Sequence, residues 1–172
     1  MVQARRASGQ PLYTDEERRR RDRSPWTIVQ GVLAPVQFMV FLISVALILR
    51  YLATGEGYAA ATASIVVKTF TLYSIMVTGS IWEKDVFGVW LFAPAFFWED
   101  VVSFLVIGLH TAYLASLFGT WLSPTGQMLL ALAAYLTYVV NAAQFLLKLR
   151  AARLADPRAV SGGRGGLAGA SS

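Results

Sequence analysis

Residues 24–55 read SPWTIVQGVLAPVQFMVFLISVALILRYLATG, and no side chain between Trp26 and Leu49 carries a charge. A hydrocarbon core about 30 Å thick is crossed by about 20 predominantly apolar helical residues, so this stretch is long enough to span a bilayer. Three further windows share the property, giving expected spans at 26–52, 59–82, 96–118 and 127–148. With 56% hydrophobic and 15% charged side chains in 172 residues, the chain carries more apolar surface than a soluble core of that size buries. The expected fold is all-α: an integral membrane four-helix bundle over 26–150, a basic segment at 1–25 before it, and a flexible Gly/Ser-rich tail at 151–172.

Local signals place the ends of the spans. Ser24-Pro25 and Ser123-Pro124 precede the first and last windows, where serine can cap a helix and proline suits its first turn. Gly55 and Gly57 interrupt the chain after the first window, and Gly119 and Gly126 after the third. Such short connections favour antiparallel neighbours. The N-terminal segment holds seven arginines, Lys84 follows the second span, and Lys148 and four arginines follow the last, whereas the other side has only Arg50. The positive-inside rule therefore puts both termini in the cytoplasm, with the chain in the inner, cytoplasmic or intracytoplasmic, membrane. Within TDEERRRRDRS, Thr14 and Glu17 have capping-box spacing, so a short helix is expected there, with Arg18 to Arg21 against anionic lipid headgroups.

Composition excludes several classes. Without cysteine there is no disulfide frame, thiolate metal site or cysteine nucleophile. A single histidine, His110, rules out a His-rich metal cluster. The net charge of +5 resides almost wholly at the two ends, beside apolar runs, which reads as membrane orientation and gives no nucleic-acid partner. No glycine-rich phosphate loop is present.

Polar groups at membrane depth are expensive, so they mark where chemistry is to be sought. Gln30, Gln37, Ser44 and Tyr51 recur at seven-residue spacing along the first span, and Pro35 beside them is expected to kink it. Lys68 lies fourteen residues before Trp82, about 20 Å from that end at the helical rise. It calls for either a buried carboxylate partner or a substrate group to anchor. His110 stands eleven residues after Glu99, on the same helical face, and comes to a similar depth as Lys68. Packing is the commoner role for such a histidine. Tyr138, Asn141, Gln144 and Lys148 share one face of the last span.

Residues 82–100, WEKDVFGVWLFAPAFFWED, gather four carboxylates and seven aromatic rings between two apolar runs. An interfacial belt accounts for Trp82 and Trp90. It accounts poorly for Glu99 and Asp100, which Phe96, Phe97, Trp98 and the run from Val101 surround with hydrocarbon and indole. A carboxyl group in such surroundings can hold its proton near neutrality and serve as a general acid.

The segments RDRSPWTIVQGVLAP, YLATGEGYAAATASIVVKT, MVTGSIWEKDVFGVWLFAPAFFWEDVVS, LHTAYLA and YVVNAAQFLLKLRAARL resemble the bacteriochlorophyllide C3-vinyl hydratases of phototrophic bacteria, over about residues 12–154. The resemblance implies a membrane enzyme of bacteriochlorophyll biosynthesis that adds water to the 3-vinyl group of chlorophyllide a or 3-vinyl bacteriochlorophyllide a, giving the 3-(1-hydroxyethyl) derivative. Its partners would be the tetrapyrrole substrate, membrane lipids and other pigment-biosynthesis enzymes. No cofactor is needed, because magnesium enters only within the pigment.

Physical reading then assigns the roles. Glu99 or Glu83 is the candidate proton donor, and Asp100 or Asp85 orients the water. Phe96, Phe97 and Trp98 are expected to pack on the flat ring. His110 is placed to ligate the pigment's magnesium, although that ion prefers oxygen, and Lys68 to pair with the propionate. Asn141 and Gln144 complete the substrate-binding set. The competing class is a non-catalytic pigment-binding assembly factor or a small subunit of a photosynthetic membrane complex, which would hold the pigment without adding water.

Overall fold

A computed structural model describes residues 12–154, without the side chains of 153 and 154. The first eleven residues and the Gly/Ser-rich stretch from 155 lie outside the described residues. Five helices follow one another: α1 (Asp15–Arg23), α2 (Pro25–Thr54), α3 (Tyr58–Phe87), α4 (Phe97–Gly119) and α5 (Pro124–Leu154). The last four are each long and apolar enough to cross a membrane. Two of them outrun the windows expected from hydropathy. The second ends at Phe87 and not at 82, and the fourth begins at Pro124 and continues to Leu154. The reason is that hydropathy reports the greasy part of a helix, whereas backbone hydrogen bonding continues until a residue breaks it. For α3 the stop is Gly88, whose φ of +80° suits glycine alone and whose N–H bonds the Lys84 carbonyl.

Caps form where the sequence points, with one exception. Thr14 and Glu17 make a reciprocal capping box on α1, with Glu17 N–H donating to Thr14 Oγ1 at 3.2 Å and Thr14 N–H to Glu17 Oε2 at 2.7 Å. Ser123 Oγ accepts the Gly126 N–H at 3.1 Å and caps α5. Ser24 occupies the N-cap of α2 but does not cap it with its side chain. Its hydroxyl donates to Asp85 Oδ2 at 2.9 Å, because a carboxylate of α3 outcompetes a local amide for it. α2 remains helical through Pro35.

The spans alternate in direction. Partners fall along one helix as they rise along the next: Gln30 with Thr78, Ser44 with Ser64 and Tyr51 with Tyr58 join α2 to α3. Ser103 with Asn141 and Ser116 with Gln127 join α4 to α5. These two hairpins are each closely packed, while α3 meets α4, and α2 meets α5, much more sparsely. A seam thus separates the hairpins. At one end of the bundle, opposite α1, it is filled by Ile48, Ile65, Tyr113, Met128 and Tyr135. Mid-height, Leu72, Val106 and Tyr138 occupy it. At the acidic end Tyr13, Val86 and Phe96 pack with Trp82, Phe87 and Phe145, so that the start of the chain is bound to the α3–α4 connection.

Candidate active site

The α3–α4 connection decides where the acids go. Glu83 lies one turn before the end of α3 and Asp100 lies in the first turn of α4, and antiparallel packing sets them level across the seam. Their carboxyl groups come within hydrogen-bonding range of each other. Two carboxyl groups so paired need a proton between them, since an ionised carboxylate can only accept. Each is also fixed by the loop backbone. Ala93 N–H donates to Glu83 Oε2 at 3.1 Å and Phe92 N–H to Asp100 Oδ2 at 2.7 Å. Presenting these adjacent donors strains the chain locally, for Phe92 takes φ +59°, in the left-handed region. Glu83 and Asp100 are 5% and 3% exposed.

Glu99, equally buried, has a different partner. Its carboxylate forms an ion pair with Lys148 of α5, whose Nζ also donates to the Ala95 carbonyl. Asn141 Nδ2 donates to the Glu99 carbonyl at 2.8 Å while its Oδ1 accepts from Ser103 Oγ at 3.2 Å. Lys148 and Glu99 lie near enough to Asp100 for their charges to act on it. The result is one buried cluster: a facing pair of carboxyl groups from α3 and α4, with an ion pair from α4 and α5 beside it.

Other candidates fall elsewhere. Asp85 is exposed and bonded to Ser24, away from Glu83. Phe96 is buried among Tyr13, Trp82, Phe87 and Phe145. Phe97 and Trp98 face outward, where Phe97 meets Phe92 and Phe92 stacks on Phe104 at 5.5 Å. Gln144 is half-buried, and its Oε1 makes no hydrogen bond. Deeper in the seam, Lys68 and His110 are fully buried and close enough to interact. His110 Nδ1 bonds the Val106 carbonyl at 2.8 Å, and its ring stacks on Tyr135. Because a carbonyl only accepts, Nδ1 carries the hydrogen, which leaves the Nε2 lone pair of a neutral ring free. That nitrogen has no partner. Among the described residues no three His, Asp or Glu side chains converge to hold a metal ion of the protein's own.

Ser103 and the N–H groups of Phe92 and Ala93 are not among the candidates from sequence, and Lys148 enters there only as one of four polar residues on a face of the last span. Lys148 carries a signal: it stands four residues after Gln144 and seven after Asn141, on the same stripe. The loop amides carry none, since nothing in VWLFAPA announces their direction.

A membrane-embedded cluster able to hold one transferable proton narrows the chemistry, and similarity to known proteins completes the comparison. Residues 13–151 match the 2-vinyl bacteriochlorophyllide hydratase family. The chain belongs to that family. It is 71% identical over 144 residues to the 2-vinyl bacteriochlorophyllide hydratase of Cereibacter sphaeroides, covering 83% of this chain and 89% of the relative. To the 2-vinyl bacteriochlorophyllide hydratase of Rhodobacter capsulatus it is 65% identical over 147 residues, covering 86% of this chain and 85% of the relative. No solved structure matches. The matched region takes in every residue of the cluster just described.

Proposed function

We propose that this chain hydrates the vinyl group of a bacteriochlorophyllide by means of the proton shared between Glu83 and Asp100. The chain is a hydratase of bacteriochlorophyll biosynthesis, as its family membership and two close relatives indicate. The observation that carries the mechanism is the buried pair itself: two carboxyl groups facing each other from different helices, each fixed by a backbone donor. The protonated member transfers that proton to the terminal CH2 of the vinyl group. The π electrons form the new C–H bond, leaving a cation on the carbon attached to the ring, where the macrocycle delocalises it. Water adds to that carbon, and its proton returns to the ionised carboxyl group. The product is the 1-hydroxyethyl substituent, with the acid regenerated and no net change of oxidation level, so the reaction needs no redox cofactor.

The remaining groups hold the pigment and the acids. Glu99 is engaged as the acceptor of the Lys148 ion pair and, with Asn141, locks α4 to α5 so that Asp100 keeps its level against Glu83. Phe92, Phe97 and Trp98 offer an exposed aromatic surface at the acidic end of the bundle. The free Nε2 of His110 would be the group to hold the magnesium of the pigment, to which it would supply a nitrogen ligand. Incubating membranes that contain the protein with a 3-vinyl chlorophyllide is expected to give a product heavier by one water and blue-shifted in absorption. Tight pigment binding without that product would establish a carrier instead.

Both termini and the acidic loop face the cytoplasm in this reading, because Lys and Arg concentrate at that end. The membrane is then the inner one of a phototrophic bacterium, where neighbouring pigment-biosynthesis enzymes and lipids are the natural partners. The absence of cysteine makes the orientation simple to measure. A Trp90→Cys variant should react with an impermeant maleimide only in inverted vesicles, and a Glu56→Cys variant only in intact spheroplasts. The reverse pattern would invert the topology.

A further inference from the structure

The helix α1 buries none of its own side chains. Its nine residues, DEERRRRDR, are all charged. A helix of that length with no apolar face is not stable by itself in water, and the fold holds this one at its two ends. After it, Ser24 bonds Asp85 at 2.9 Å and Thr27 Oγ1 accepts the Trp82 indole N–H at 2.9 Å, both in the last two turns of α3. Before it stands Tyr13, 7% exposed. Its ring stacks on Phe87 at 5.8 Å and meets Phe96 at 6.5 Å, while the Arg21 guanidinium lies 4.9 Å over it. The segment is thus a strap, with one end against the α3–α4 connection and the other made fast to α3 where α2 begins.

Phe96 is the residue through which the Tyr13 ring reaches the acids. Its N–H donates to the Ala93 carbonyl at 2.8 Å, closing the turn of the loop, and its carbonyl accepts the Asp100 N–H at 3.0 Å at the start of α4. The amides of Phe92 and Ala93 fix Asp100 and Glu83 in turn. The Phe96 ring also lies 5.2 Å from Lys148 Nζ, the partner of Glu99. A displacement of Phe96 is therefore passed to Asp100 through the first bond of α4 and to Glu83 through the Ala93 amide. Phe92 holds φ +59°, a conformation that a non-glycine residue keeps where its surroundings enforce it. Because α3 and α4 meet only sparsely, that restraint comes from what packs on the loop.

Resting on the mechanism proposed above, we infer that Tyr13 is a positioning residue for hydration: through Phe96 it holds the α3–α4 loop in the form that presents the Phe92 and Ala93 amides to Asp100 and Glu83. Its ring contacts are Phe87, Phe96 and Arg21, so it acts on the acids by way of the loop. Trp82, Phe87 and Phe145 cover the rest of Phe96, which keeps the loop packed, though more loosely, when the Tyr13 ring is removed. The charged segment before the first span then serves the chemistry at the acid pair.

The purified full-length protein in detergent is assayed with a 3-vinyl chlorophyllide, binding being followed by pigment fluorescence and turnover by absorption. Tyr13→Ala is expected to lower kcat by about 10- to 100-fold, the scale of a misplacement of up to about 1 Å at reacting groups, with KM and the pigment Kd unchanged. Tyr13→Phe keeps the ring and should run close to the native rate. Tyr13→Leu keeps apolar bulk without the flat face and should lie between. A general loss of stability does not divide in this way, since it lowers binding-competent protein and turnover together. Native kcat in Tyr13→Ala, with Glu83→Gln inactive, overturns the inference and spares the acid-pair mechanism. A fall in pigment affinity parallel to that in kcat, or failure of both Tyr13→Ala and Tyr13→Leu to elute as single species, also overturns it. Native turnover in Glu83→Gln overturns the acid-pair mechanism and the inference with it.

Discussion

Glu83→Gln is expected to lower the hydration rate by about three orders of magnitude, while the pigment still binds and the protein still elutes as one species. The amide retains an oxygen to accept the Ala93 N–H, so the loop keeps its anchor. What disappears is the proton shared with Asp100. General acid catalysis by a positioned group contributes about 10²- to 10⁴-fold, and an amide whose oxygen stays on the Ala93 N–H turns its NH2 group to Asp100 and holds it ionised, leaving no acidic proton to deliver. Asp100→Asn should behave in the same way for the same reason, and the double variant should be little worse than either single one, because the two groups act as a unit. Single-turnover absorption measurements on the vinyl pigment separate the loss of chemistry from any loss of binding. Near-native turnover in Glu83→Gln would remove the pair from the mechanism.

Lys148→Met should be the most destabilising single change in the site. It strands the Glu99 carboxylate, which is 5% exposed, and it removes the donor to the Ala95 carbonyl. Breaking a buried ion pair from one side costs about 3–5 kcal/mol. The Lys148 side chain retains 28% exposure, so partial solvent screening brings the expected loss to about 2–3 kcal/mol. The Glu99→Gln/Lys148→Met double variant leaves no charge stranded and should recover most of that loss. Thermal unfolding in detergent, followed by loss of a single elution peak, measures both. Equal melting of the native and Lys148→Met proteins would show the pair to be dispensable. Turnover should fall in Lys148→Met as well, since Glu99 and Asn141 hold α4 at the level where Asp100 meets Glu83.

Much of the architecture is legible in the order of residues alone. Hydropathy finds four spanning helices because a bilayer imposes a length of about 20 residues on any apolar helix that crosses it. The capping box at Thr14 and the serine cap at Ser123 are read from two or three residues, since their causes are local. The crowding of acids and aromatic rings at residues 82–100 likewise marks the region of the site without any structure. The expected ends of α3 and α5 fell short because polar final turns look like loop on a hydropathy scale.

Pairing is another matter, because it depends on which side chains a fold brings level. Glu83 and Asp85 are two residues apart, yet one turns into the seam and the other out to Ser24, since neighbours at that spacing point about 200° apart on a helix. Glu99 and Asp100 are adjacent, and each is claimed by a different element, Glu99 by α5 through Lys148 and Asp100 by the α3–α4 loop. Family membership, the membrane spans and the set of candidate acids were therefore properties of the sequence by itself. The tertiary structure alone decided which two acids face each other, which one is an ion-pair partner and which buried lysine is left without a hydrogen bond. Distance in space sets a hydrogen bond or an ion pair, and distance along the chain constrains that only within a single helix.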